Sequence, residues 1–244
     1  MRIAVAKTIL EEIKPFRDLF LKETCFQFVY NKCHGAGWAD VYRFTIDDAP
    51  AGYGSIWGKN KREDRDAIFE FYLLPPYRKL ASAVFEEFCI LSGAKFIECQ
   101  TNDEFLTHIL YEFTRNINAE AILFEDNRQT DCKIDGVSFQ KKDEEYILEI
   151  EGEIAATGGF VYNYNFPFID MYYEVKEKFR RQGLATLFVQ ELKKEAYRMN
   201  RVPSARCNIH NSPSKATLLK AGLKVCGFIV TGEIKERITL PKQQ

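Results

Sequence analysis

Histidine is scarce in this 244-residue chain: His34, His108 and His210 are its three. Its seven cysteines (Cys25, Cys33, Cys89, Cys99, Cys132, Cys207 and Cys226) form no CxxC pair and are odd in number. Those shortages exclude a zinc-ligand spacing and a complete disulfide framework, so we expect no metal and read the cysteines as reduced, buried thiols. Charge of one sign is lacking too. The net charge is −1 and the pI about 6.4, which leaves no global basic field for nucleic acid or an anionic membrane. Any anion site must be local. No apolar run approaches membrane-spanning length, and the opening MRIAVAKTILEEIKPF reaches charged residues too soon for a signal peptide. The expectation is a cytoplasmic protein with neither nucleic acid nor membrane as partner.

What is present is ordinary globular material, 46% hydrophobic and 28% charged, in a length that allows one large domain or two small ones. Patterning predicts an amphipathic helix over 9–23, strands over 39–46 and 51–57, and a strand over 67–74 stopped by Pro75-Pro76. A helix over 79–91, a strand over 95–100, a helix over 103–113 with Asn102 as N-cap, and a strand over 121–125 follow. The polar stretch Asp126–Lys133 reads as a connection between domains. Beyond it the order recurs: strands at 137–141, 146–151, 153–162 and 168–176, a helix at 183–199, a strand at 205–210, a helix at 214–221 and a strand at 224–230. A repeated order suggests two copies of one plan, with domains 1–128 and 129–244 and an α/β (α+β) fold.

The richest segment is Val175-Lys-Glu-Lys-Phe-Arg-Arg-Gln-Gly-Leu-Ala-Thr186. It joins a strand to a helix start, where several backbone N–H groups have no intrahelical partner and the helix dipole favours an anion. Gly183 and Ala185 keep side chains out of the way of a phosphate. Lys176, Lys178, Arg180 and Arg181 make a cationic rim against Glu177 alone.

The run Arg180-Arg181-Gln182-Gly183-Leu184-Ala185 resembles the [RQ]-x-x-G-x-[GA] signature of the GNAT acyltransferases. Asn211-Ser212-Pro213-Ser214 followed by Lys220-Ala221-Gly222-Leu223 resembles that superfamily's second, C-terminal signature. The likeness covers about 131–234. It implies two tandem GNAT-like mixed-sheet domains and acetyl-CoA as co-substrate. The pyrophosphate would lie on the amides of Arg181–Thr186, helped by Asn211 and Ser214, and the pantetheine arm beside Glu174 and Val175. It also implies a backbone N–H, that of Val175, for the oxyanion. Physically, a pantetheine carries two amides that can pair with a free strand edge, which a bulge in the strand would expose.

Aminolysis of a thioester further needs an acceptor for the amine's proton. Alternation along 168–176 puts Asp170, Tyr172 and Glu174 on one face of a strand expected to be apolar on both. Glu174 is the candidate base, with Asp170 as a second. Where the family carries a tyrosine poised as general acid, this chain has Leu218; Tyr172 and Tyr173 are the substitutes at hand. The counterpart loop in the first half, Pro75–Ser82, lacks the glycine, so that copy reads as degenerate and holds no coenzyme A. The second copy lacks the early helices that wall an acceptor pocket, a role that falls to the first half. The aromatic run Tyr162–Phe168 reads mainly as packing. The expected activity is acetyl transfer to an amine of a small molecule or a peptide-like acceptor. The alternative is a non-catalytic acyl-CoA-binding sensor or assembly module, and a homodimer is compatible with either.

Overall fold

Strand pairing organises the chain in this computed structural model, which describes residues 1–24, 30–162 and 166–236. Two compact units share one plan. Of the described residues, unit 1 takes in those up to Glu120 and again from Phe228, and unit 2 takes in Ala121–Gly227. The sequence boundary at 128/129 lies eight residues past that change of unit and takes no account of the chain's return. The last strand, Leu223–Ile234, accordingly leaves unit 2 and finishes unit 1.

Unit 1 orders its strands β1 (Ile3–Thr8), β2 (Asp40–Ile46), β3 (Ala49–Trp57), β4 (Ala67–Leu73) and β5 (Phe96–Gln100). Phe228–Ile234 then pairs antiparallel with β5, Ile229 opposite Gln100. The helices are α1 (Leu10–Thr24), α2 (Asn31–Gly35), α3 (Ala81–Ser92) and α4 (Glu104–Phe113). Asp103, not Asn102, caps α4: its Oδ1 accepts the Leu106 N–H at 3.0 Å. The parallel β4–β5 pair is short, ending at Ile68↔Ile97.

Unit 2 runs from the end of β6 (Thr114–Asp126) through β11 (Val202–Asn208), β10 (Phe168–Val175), β9 (Glu153–Val161) and β8 (Glu145–Ile150) to β7 (Val137–Lys142). Two helices belong to it, α5 (Leu184–Arg198) and α6 (Ser212–Lys220). On α5 the apolar stripe Leu184, Leu187, Phe188, Leu192 and Ala196 is buried on the sheet; each large side chain contributes roughly 1.5–3 kcal/mol. Gly158 on β9 makes room for it, since a Cβ there would lie 2.6 Å from the Phe188 ring and 2.3 Å from the Tyr172 carbonyl.

The polar stretch after β6 is no free linker. Asn127 and Arg128 N–H groups donate to the Gly222 carbonyl, and the Thr130 hydroxyl donates to that of Ala221. Lys193, on the flank of α5 and 2% exposed, completes the tie. Its ammonium lies 2.8 Å from the Asp126 carboxylate and donates to the carbonyls of Arg128 and Ala221. A buried ammonium with that many partners is satisfied rather than stranded.

Candidate functional site

The site grows from a fork between two parallel strands. β10 and β11 pair at Phe168↔Val202, Ile169↔Pro203 and Asp170↔Ser204, and then part, although both strands run on. The other edge of β10 stays paired with β9 as far as Val175↔Ala156, and the next N–H, that of Lys176, donates to Ala155. Antiparallel pairing directs alternate residues to opposite edges. The N–H groups of Val175 and Tyr173 therefore face the fork.

Between the prongs lies a cavity of about 850 Å³, reaching from Asp170 and Ala205 at the closed end to Arg181, Gly183 and Ala185 at the mouth. The mouth is built by local chain geometry. Arg181 and Gly183 both have positive φ, +63° and +81°, so the backbone curls before α5 begins. Gly183 occupies the N-cap position, where no side chain bonds the first turn. The Thr186 and Leu187 N–H groups return to the Gly183 carbonyl; the earlier amides of the turn have no helical partner. A Cβ on Gly183 would meet only Ile134 Cδ1, at an ordinary 3.5 Å, so its φ rather than crowding selects glycine on the protein side.

Most of the expected residues converge here. Asp170, Glu174, Val175, Arg180, Arg181, Gly183, Leu184, Ala185, Thr186, Asn211 and Ser214 all line the cavity. Gln182 does not; its amide turns back to the Lys178 carbonyl at 3.4 Å. The cationic rim is narrower than the sequence suggests, because Lys178 pairs with Glu153 at 2.6 Å and neither it nor Lys176 lines the cavity. Arg180 has a second task. Its Nε donates to the Val175 carbonyl at 3.1 Å, tying the loop to the strand end.

The faces of β10 divide as alternation requires. Ile169, Met171 and Val175 are buried toward the helices, whereas Tyr172 and Glu174 are exposed. Asp170 is buried beside Arg206, whose Nε lies 3.8 Å from its carboxylate. Arg206 is a cavity residue that the sequence reading missed; its place as the one charged residue of β11, among Val, Pro, Ser, Ala, Cys and Asn, was the available signal. The Tyr173 hydroxyl lies 3.2 Å from Ser214 Oγ, in the first turn of α6, where Asn211 accepts the Ser214 N–H. Leu218 is buried. Cys207 is buried in β11, and none of the six described cysteines is in a disulfide, with Cys132 and Cys226 only partly buried; Cys25 lies outside the described residues. Of the aromatic run at 162–168, residues 163–165 also lie outside them.

Residues 105–223 match the sequence profile of the acetyltransferase (GNAT) family. The family's sequence pattern thus runs through just under half of the chain. Its fold resembles that of an acetyltransferase from the GNAT family of Colwellia psychrerythraea, at 13% identity over 96% of this chain and 100% of that one, with a TM-score of 0.78. It also resembles a tandem GNAT protein from the clavulanic acid biosynthesis pathway, at 11% identity over 99% and 100% of the two chains, with a TM-score of 0.62. A GCN5-related N-acetyltransferase from Sphaerobacter thermophilus aligns at 10% identity over 96% of each chain, with a TM-score of 0.61. No curated protein sequence matches. At such identities the likeness is one of fold, and that fold is the tandem GNAT arrangement of two mixed-sheet units. Among the described residues, no group of His, Cys, Asp and Glu side chains forms a metal site, and no helix is long and apolar enough to cross a membrane.

Proposed function

We propose that this chain is an N-acetyltransferase, moving the acetyl group of acetyl-CoA to an amine of a small molecule or a peptide-like acceptor. The observation that carries the reading is the fork whose mouth is the Arg181–Ala185 turn. It joins a free strand edge to an anion-accepting helix start within one cavity of about 850 Å³. That size is within the range of pockets that enclose cofactor-sized ligands. The donor set suits coenzyme A: N–H groups at the start of α5, with Arg180 and Arg181, for the pyrophosphate, and the Val175 and Tyr173 edge for amides of the pantetheine arm and the thioester carbonyl.

The chemistry follows from placement. A neutral amine attacks the thioester carbonyl carbon, and an N–H on β10 steadies the oxyanion that develops. Glu174, exposed at the open end of the strand, takes the amine's proton. Asp170 is buried at the closed end against Arg206, which suits it to fixing the prongs or the acceptor more than to exchanging protons with solvent. Unit 1 holds no acyl-CoA in this reading, because Ala81 (φ −53°) opens its equivalent helix in ordinary right-handed geometry without a glycine. The test is calorimetric titration with acetyl-CoA, followed by assay of coenzyme A release across a panel of amines. Binding with amine-dependent release is the expected result. Binding without release from any amine would favour a sensor or assembly module, and absence of binding would refute the site.

A further inference from the structure

β9 carries two adjacent glycines, Gly158 and Gly159, and neither has a positive φ. Gly158 makes room for Phe188 on the helix side of the sheet, and Gly159 makes room on the other side. Gly159 is the register partner of Tyr172 on β10, and a Cβ there would lie 3.0 Å from the Tyr172 hydroxyl oxygen, 3.2 Å from Cζ and 3.4 Å from Cε1. The ring therefore lies down across β9, and its hydroxyl donates to Glu145, at the start of β8, at 3.3 Å. A glycine inside a strand marks a close approach, and here the approaching group is a phenol. Tyr172 is nevertheless 42% exposed, so one aromatic face is held flat and open to solvent. It lines the cavity on the side away from α5 and α6, with Asp170 and Glu174 on either side of it along the strand. Asp170 is buried beside Arg206, whereas Glu174 and Glu145 are exposed and, among the described residues, neither has an ion-pair partner. An open ring thus stands between two unmatched carboxylates at the outer side of the cavity.

Resting on the acyl-transfer reading above, we propose that the acceptor is a small diamine, whose second ammonium lies on the Tyr172 ring while its reacting nitrogen faces Glu174. A cation is drawn to the face of an aromatic ring, and a carboxylate on either side strengthens that attraction. A neutral tail gains neither contribution, and an anionic tail is repelled by both carboxylates. Residues 172 and 174 stand roughly 7 Å apart along the strand, a distance that about five methylenes span. Tyr172 is in this way a specificity residue: it reads the far end of the acceptor and takes no part in making or breaking bonds. Gly159 lets the ring lie down, and Glu145 holds it there.

The test compares diaminopentane, pentylamine and aminohexanoate, which share a primary amine and a similar length and end in an ammonium, a methyl group and a carboxylate. The wild type should prefer diaminopentane to pentylamine in kcat/KM by about tenfold more than its two equivalent ends explain, and should use aminohexanoate least. In Tyr172→Leu the ratio of diaminopentane to pentylamine should fall to what the two ends explain, whereas Tyr172→Phe, which keeps the ring, should keep most of the preference. A ring that serves only to cover Gly159 would, once removed, lower both amines alike, so an unchanged ratio in Tyr172→Leu overturns the proposal. Urea unfolding shows whether that variant is folded; Glu145→Gln leaves the ring in place and should lower the same ratio severalfold, so it decides the matter if the leucine variant does not fold. A wild-type preference for pentylamine or aminohexanoate also overturns the proposal. If none of the three is acetylated, calorimetry of each with the coenzyme A complex reads the preference as Kd, and absence of diaminopentane binding overturns the diamine while leaving the acyl-transfer reading to the wider amine panel. Failure of the wild type to bind coenzyme A would instead overturn the reading beneath it.

Discussion

Alanine at Gly183 separates what the protein needs from what the ligand needs. Two consequences follow from one added methyl group. The first is conformational, since a φ of +81° costs a non-glycine residue about 1–2 kcal/mol. The surroundings add little, because the nearest atom to the new Cβ is Ile134 Cδ1 at 3.5 Å. The second consequence appears only with acetyl-CoA bound, when the methyl group sits where a phosphate approaches the backbone. Losing one charge-assisted hydrogen bond there costs about 1.5–3 kcal/mol, which raises Kd roughly ten- to hundredfold. Gly93 supplies the matched control. It ends α3 in unit 1 at a φ of +66°, and a methyl group there would meet no atom within 4 Å, so Gly93→Ala carries the same strain and touches no part of the fork. Urea unfolding and calorimetry with acetyl-CoA should therefore show similar destabilisation of both variants, and lost affinity in Gly183→Ala alone. Affinity in Gly183→Ala within twofold of Gly93→Ala would refute the phosphate-loop assignment.

Glu174→Gln keeps the shape of the exposed side chain and removes its basicity, so acetyl-CoA affinity should persist while turnover drops roughly 10²-fold; unchanged turnover would remove Glu174 from the mechanism. A further prediction concerns pH. Burial pushes the Glu98 carboxyl up to about 7, partly offset by the hydrogen bond it accepts from Tyr30 at 2.8 Å. A raised folded value contributes stability that is present below the ordinary value of 4.5 and lost as pH rises through about 7. Glu98→Gln retains an acceptor for Tyr30 and escapes that loss, so its advantage over wild type in urea unfolding should grow by up to about 3 kcal/mol between about pH 5 and about pH 8. Equal differences at both pH values would refute the argument. Glu70 works in the other direction: Arg17 and His34 overcome its burial and hold its carboxyl at about 2, so its contribution disappears only on acidification below the ordinary 4.5.

Local patterns carried the sequence reading well and non-local ones carried it poorly. The α5 stripe, the glycine before it and the two signatures are each written in a short stretch of chain, and the structure brings most of Arg180–Ala185, with Asn211, Pro213 and Ser214, to one cavity, while the rest of the stripe and residues 220–223 serve the packing around it. The fork is an event of register between β10 and β11, which neither strand announces by itself. The strand β1 escaped notice because Ile3–Thr8 is a half-exposed edge with little alternation. The cap of α4 was placed one residue early, since Asn102 and Asp103 are both good caps and only the geometry reaching the Leu106 N–H decides between them. Lys193 carries no sign of burial in its own helix; that burial depends on Asp126, Arg128 and Ala221, all distant in sequence. A cut at 128/129 shows what such distances mean. It would remove Ile122 and Phe124, buried in the unit 2 core, together with the partners of β11 from Ser204 to Asn208.

The two units show how one backbone frame is used in two ways. In each, a parallel pair opens into a fork, after Ile68↔Ile97 in unit 1 and after Asp170↔Ser204 in unit 2. In each, an arginine five residues past the strand end ties the loop back: Arg78 Nε donates to the Leu73 carbonyl, and Arg180 Nε to that of Val175, both at 3.1 Å. The side chains then diverge. β4 is buried along its whole length, Phe71 stacks on Phe105 at 5.7 Å and meets Phe85 edge-on, and Arg78 lies over Tyr72 and Phe105. Such aromatic fill contributes burial and ring–ring attraction to unit 1, and leaves a cavity there of about 460 Å³. The corresponding prong in unit 2 presents Tyr172, Tyr173 and Glu174, none of them fully buried, around about 850 Å³. An opened strand pair that is not packed with side chains forgoes burial its own core could have had. Persistence of that gap beside a turn shaped by two positive φ angles is explained when a ligand supplies the missing contacts, and acetyl-CoA binding should accordingly raise the stability of unit 2 as the logarithm of ligand concentration.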